Sequence, residues 1–350
     1  MSPYAELPAR NFWKTGIPRE DIASIRELYK RKFEIAAGDR IATAGSCFAQ
    51  HITARLRASG YDVMDMEPPP PWLPEPVLRD HGYGLFSARY GNIYTARQLL
   101  QLAQESFGEA TPARAVWERK GRYYDAQRPG IDPRGLDTAA EVLALRLEHL
   151  RQVRRMFSAM DVFIFTLGLT EAWMSADRTT VYPTAPGTLA GTYRASDYVF
   201  HNFTFSEIVA DLEAFFDLVG QHNPGFRVIL TVSPVPLTAT ATGHHILSAS
   251  NYSKSVLRAV AGQMEAAHEN IDYFPSFELI ASHVARGAFY NENLRTVAAP
   301  GVETAMRVFL QQHPVLDKHG ARAFDQTEHV ADPLDEETRC EDELLEAFAK

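Results

Sequence analysis

Cysteine is nearly missing from this chain, with two in 350 residues, Cys47 and Cys340. One sits in a segment that reads as core and the other in an acidic tail, so a structural disulfide is not expected. Long apolar runs are missing too. The longest, residues 162–169, is interrupted by Thr166 and Gly168, and it falls far short of the roughly 20 residues a membrane helix needs. The start of the chain has no apolar stretch of a secretory signal, because Pro3, Glu6, Pro8 and Pro18 break it up. The cytoplasm is therefore the expected compartment. A basic excess is also lacking: Lys plus Arg total 35 against 44 for Asp plus Glu. No nucleic-acid partner and no membrane surface are expected from that balance.

Several catalytic signatures are absent. No Gly-x-Ser-x-Gly elbow, Walker loop, Gly-x-Gly-x-x-Gly fingerprint or His-Glu-x-x-His motif occurs. Elbow-type hydrolases, nucleotide hydrolases, Rossmann oxidoreductases and zincins are thereby disfavoured. His244-His245 is the one adjacent pair of strong metal ligands, and neighbours in sequence point apart, so no metal is expected.

What is present is the rhythm of an α/β protein. Short β-rich runs at 40–44, 61–66, 162–167, 228–232 and 271–274 alternate with amphipathic helices. Phe48, Ile52 and Leu56 repeat every four residues, with Gly60 at the C-terminal cap. Thr138 and Glu141 read as a capping box, Ser206 as the start of another helix, and 253–267 and 300–311 as two more. The chain divides into an N-terminal arm (1–37), an α/β domain (38–312) and a tail (313–350). Irregular insertions fall near 67–80, 108–135 and 177–201, the first of them proline-rich and stiff. Eight acidic and two basic residues lie between Asp332 and Lys350. That is most of the chain's negative excess, and it marks a solvated tail.

Open parallel sheets bind ligands at the carboxyl ends of their strands. After the first strand comes Thr43-Ala44-Gly45-Ser46-Cys47-Phe48, leading into a helix. Gly45 permits a tight turn and Ser46 stands at the helix N-terminus. There it is either an N-cap, or a nucleophile whose own N–H is free to help hold an oxyanion. Cys47 is either a low-pKa thiol in the first helical turn or a small buried residue.

Gly45-Ser46-Cys47-Phe48-Ala49 resembles the signature of the GSCFA family, which is itself similar to the SGNH (GDSL-type) esterases and acyl-hydrolases. Residues 165–173, Phe-Thr-Leu-Gly-Leu-Thr-Glu-Ala-Trp, are similar to a second family segment. So are Ser233-Pro234-Val235-Pro236 followed by Ser253-Lys254, and Gly91-Asn92-Ile93-Tyr94. The likeness spans about 38–312. It implies a three-layer α/β/α sandwich with a mainly parallel sheet of about five strands. It also implies a Ser46 nucleophile acting on an acyl ester, O-acetyl foremost, of a carbohydrate or another small molecule.

By the same likeness, Gly45 and Cys47 flank the nucleophile, Gly91 or Asn92 supplies an oxyanion donor, and Gly168 to Glu171 form the third block. Thr170 or Glu171 stands where SGNH enzymes carry Asn. At the end of the domain, Asn293 and Thr296 stand where those enzymes carry the Asp and His that activate the serine. Replacement bases come from His51, His201, His244, His245 and His283, with His244 and His201 favoured by loop position. Glu171 is a carboxylate alternative. Three readings follow. One is a hydrolase that needs no cofactor, another an O-acyltransferase modifying a bacterial glycan with acyl-CoA as donor, and the third a non-catalytic binding protein.

Overall fold

Residues 162–167, Val-Phe-Ile-Phe-Thr-Leu, call for a strand covered on both faces. In the computed structural model of the chain, which describes residues 2–18, 21–314 and 341–349, all six are buried in such a strand. The strands among the described residues are β1 (Ile41–Gly45), β2 (Val116–Arg119), β3 (Arg122–Asp125), β4 (Val162–Leu167), β5 (Glu171–Ser175), β6 (Val181–Tyr182), β7 (Tyr198–Asn202), β8 (Arg227–Val232) and β9 (Ile271–Tyr273). Four of them form a parallel sheet in the order β1-β4-β8-β9.

The expected strand at 61–66 makes only a single parallel bridge, Val63 to Ile41. Ile41 donates its N–H to Asp62 and accepts from Met64. Beyond that point Ser87 takes over the sheet edge. Its hydroxyl accepts from the Thr43 N–H at 3.0 Å, and its carbonyl accepts from Met66. The prolines at 68–71 then lead the chain away, since proline has no N–H to offer a ladder.

Alternation along the strands divides the core in two. Phe163, Phe165, Leu167, Val228, Leu230 and Val232 face one layer, built on the helices Ala96–Phe107, Ala139–Phe157, Phe205–His222 and Ile246–Ala267. Ile41, Val162, Ile164 and Ile229 face the other, built on Cys47–Ala58, Ser276–Ala281 and Ala299–Gln312. Ile22, Ile25, Tyr29 and Ile35 of the N-terminal segment are buried in that second layer. The result is a three-layer α/β/α sandwich. No helix among the described residues is long and apolar enough to cross a membrane.

Local signals place the helices. The Thr138–Glu141 capping box is formed. The helix expected after Ser206 is capped two residues earlier by Thr204, which pairs with Glu207 in a second capping box. The helix expected from Ser253 begins at Ile246, with the His245 Nδ1 accepting from the Leu247 N–H. The insertions carry structure of their own: β2 and β3 form a hairpin, and β5, β6 and β7 form an antiparallel sheet. Buried Arg146 ties the hairpin down by pairing with Glu105 and with Asp125, the latter at 2.9 Å.

Candidate functional site

Gly45 ends β1 with φ +144°, and a Cβ there would lie 2.6 Å from the Thr166 carbonyl oxygen of β4. Only glycine fits so close a strand-to-helix turn. Ser46 follows at the N-cap position of Cys47–Ala58, yet its side chain makes no capping hydrogen bond. The hydroxyl is buried and has no hydrogen-bond partner at all. An orphaned buried hydroxyl costs about 1–3 kcal/mol, so its retention at the mouth of a parallel sheet calls for a use other than capping. The Ser46 N–H, expected to be free, donates to the Thr166 carbonyl at 3.3 Å.

Two loops are stitched to this turn. Ile93 donates to the Gly45 carbonyl at 2.8 Å, and Gly168 and Leu169 both donate to the Tyr94 carbonyl. Gln98 takes the Tyr94 N–H on its side-chain oxygen and gives its own N–H to the Asn92 carbonyl, both at 2.9 Å. Gln50, one turn into the Ser46 helix, donates to Asn92 Oδ1 at 2.9 Å. That bond fixes the Asn92 side chain beside the Ser46 helix. Gly91 turns the loop with φ +70°. Gly168 lies against Ser46, since a Cβ there would sit 3.0 Å from Ser46 Cβ. The helix Ile246–Ala267 clamps this third loop: buried Lys254 donates to the Gly168 carbonyl at 2.6 Å, and Ser253 Oγ accepts from the Thr170 N–H at 3.0 Å. The Thr170 hydroxyl is buried and unpartnered.

Ser46, Asn92, Gly168 and Thr170 are thus brought together, with buried Cys47 beside Ser46. The proposed bases are placed on other partners. His201 lies on β7, with Nε2 2.8 Å from Glu207 Oε1 and Nδ1 accepting from Arg178 at 3.0 Å. His244 is exposed in the loop before Ile246–Ala267. His283 stacks on Trp13 at 5.5 Å. His51 is buried beside Phe48, their rings 6.1 Å apart. Buried Glu171 accepts from Thr240 Oγ1 at 2.7 Å and from the Ala241 N–H at 3.3 Å. Burial pushes its carboxyl above the usual range, against those hydrogen bonds. Asn293 is exposed and closes its own turn, accepting from the N–H groups of Arg295 and Thr296 and from the Thr296 hydroxyl.

A cleft opens at the far end of the third loop. Leu169, Glu171, Trp173, Phe200, Leu237 and Thr240 are among its walls. Apart from Glu171, its lining was not read as site from the sequence. The available signal was the spacing Glu171-x-Trp173, which puts both side chains on one face of a strand.

The family model described as "GSCFA family" matches residues 40–309. No curated protein matches the chain. Among solved structures, the chain is similar to an acetyl xylan esterase, Est2A, from the rumen bacterium Butyrivibrio proteoclasticus. That likeness has 13% identity and a TM-score of 0.25, covering 69% of this chain. The chain spans 56% of that structure's length.

Proposed function

The chain belongs to the GSCFA family, and from that premise we propose that it is a serine ester hydrolase in which Ser46 takes up the acyl group of a carbohydrate or small-molecule ester. The observation that carries this reading is the buried, unpartnered Ser46 hydroxyl at a helix N-terminus. The Gly91-Asn92 and Gly168 loops meet that hydroxyl as the walls of a prospective oxyanion site. In the reaction, Ser46 Oγ bonds to the ester carbonyl carbon and the carbonyl electrons move onto oxygen. Collapse of the tetrahedral adduct breaks the bond to the alcohol, which leaves with the proton lost by the serine. Water then attacks the acyl-enzyme, releasing the carboxylic acid and returning the proton to Oγ.

The Gly91-Asn92 loop is the candidate source of an oxyanion donor, and the dipole of Cys47–Ala58 favours negative charge at the helix N-terminus. The route needs no cofactor. An acyl-CoA donor enters only if a sugar hydroxyl replaces water as acceptor.

The test is hydrolysis of p-nitrophenyl acetate and butyrate by wild type and Ser46→Ala across pH. The expected result is a loss of about 10³-fold or more in the variant, with unchanged circular dichroism. Equal rates in the two proteins would overturn the proposal.

A further inference from the structure

The register of the small antiparallel sheet aligns three aromatic residues in one row. Trp173 on β5 stands opposite Tyr182 on β6 and opposite Phe200 on β7. Trp173 and Phe200 remain half-exposed, with ring centroids 5.7 Å apart and edge to face. All three line the cleft that begins at Leu169, the residue after the glycine that touches Ser46. Polar groups converge on this apolar floor. The Glu171 carboxylate is fixed by Thr240 and Ala241. Thr184, 7% exposed, also lines the cleft, and its hydroxyl is buried without any hydrogen-bond partner. Thr238 and Thr240 add hydroxyls from the opposite wall, and Leu345 of the turn Glu341–Phe348 sits at the edge.

We propose that this cleft binds a neutral pyranose ring, the alcohol part of the ester, with its C–H face on Trp173 and Phe200 and its hydroxyls on Glu171 and Thr184. The identification of the ring as the alcohol part rests on the Ser46 esterase reading; the binding itself does not. A sugar ring presents an apolar face and a polar edge, which is the pattern of these walls. A fatty acyl chain would leave the Thr184 hydroxyl without a partner, at about 1–3 kcal/mol, and would cover the Glu171 carboxylate with apolar surface. An anionic ligand has no counter-charge here, because no basic side chain is among the described residues that line the cleft. Tryptophan at the centre of the row also provides a reporter.

The experiment titrates the full chain with unesterified xylobiose, cellobiose and chitobiose, following tryptophan fluorescence and saturation-transfer NMR. It is run on wild type, Ser46→Ala, Trp173→Phe, Glu171→Gln and Thr184→Val. The expected result is saturable binding of at least one disaccharide, equal in wild type and Ser46→Ala. Thr184→Val, which keeps the side-chain volume, and Glu171→Gln should each weaken it about tenfold, or 1.4 kcal/mol. Trp173→Phe should abolish the fluorescence change. Absence of saturable binding by all three sugars, or binding indifferent to the cleft variants, would overturn the inference. Ser46-dependent hydrolysis of p-nitrophenyl acetate would in that case leave the esterase reading standing. Sugar binding without Ser46-dependent hydrolysis would do the reverse.

Discussion

Acid should weaken this fold, and His313 is the group to follow. Tyr29 donates its hydroxyl proton to Asp272 Oδ2 at 2.7 Å, and the Tyr29 oxygen lies 2.8 Å from His313 Nε2. With that proton committed to Asp272, the tyrosine oxygen accepts, so neutral His313 carries its hydrogen on Nε2. A second proton must then go to Nδ1, which is buried without a partner. Burial, with Arg31 and Arg227 nearby, lowers the histidine to about 3. Because the folded value lies below the unfolded one, the stabilisation is complete above the unfolded value of about 6.5 and is lost as pH falls toward 3.

The loss is on the order of 1 kcal/mol by about pH 5.5 and about 3 kcal/mol by about pH 4.5. Asp272, raised by burial, works in the opposite direction as pH falls. The comparison is therefore with His313→Gln, whose side-chain N–H can still reach the Tyr29 oxygen and which does not titrate. Urea unfolding at several pH values reads the difference directly. Wild type should lose the stated amount relative to the variant over that range. Parallel stability curves for the two proteins would refute the assignment.

Other substitutions separate fold from chemistry. Ser46→Ala should leave stability unchanged or raise it by about 1 kcal/mol, since it deletes an unsatisfied buried hydroxyl; thermal unfolding measures this. Gly168→Ala should cut ester turnover while largely sparing the fold, because its new methyl meets Ser46 Cβ and the Tyr94 carbonyl at 3.0 Å. Gly45→Ala, at φ +144° and 2.6 Å from β4 backbone, should cost about 3 kcal/mol or more, seen as a fall in the urea midpoint. Arg146→Met should cost about 3–5 kcal/mol by leaving buried Glu105 without its cation and Asp125 with Arg128 alone, with the loss easing in acid as Glu105 protonates.

The sequence was most legible where one segment dictates its own structure. The uninterrupted apolar run of β4 and the reciprocal Thr138–Glu141 pair are local signals, and both stand where they were read. Residues 61–66 look like a strand, but strand formation needs a partner edge, and Ser87 occupies most of it. The antiparallel sheet was hidden because β6 is two residues long and β7, the other partner of β5, lies some fifteen residues further on. In the site, the motif located Ser46 and its neighbours. The Gln50–Asn92 bond and the Lys254 clamp join residues 42 and 86 positions apart, a separation that no periodicity in one chain reports. His201 sat on a suggestive loop, and its commitment to Glu207 and Arg178 is set by three-dimensional packing alone.

The Ser46 N–H is hydrogen-bonded to Thr166, so the backbone of this serine continues the hydrogen bonding between β1 and β4. The two loops that face it add side-chain ties to a few backbone bonds, Gln98 on one and Lys254 with Ser253 on the other. Mechanically, the serine is a fixed anvil and the adaptable parts of the site are its rim. Amide exchange should follow that division, with Ser46 protected to the level of global unfolding and Gly168 and Leu169 released in smaller openings. Adjustment to substrates of different shape would then be a property of the loops, at rates that leave the sheet undisturbed.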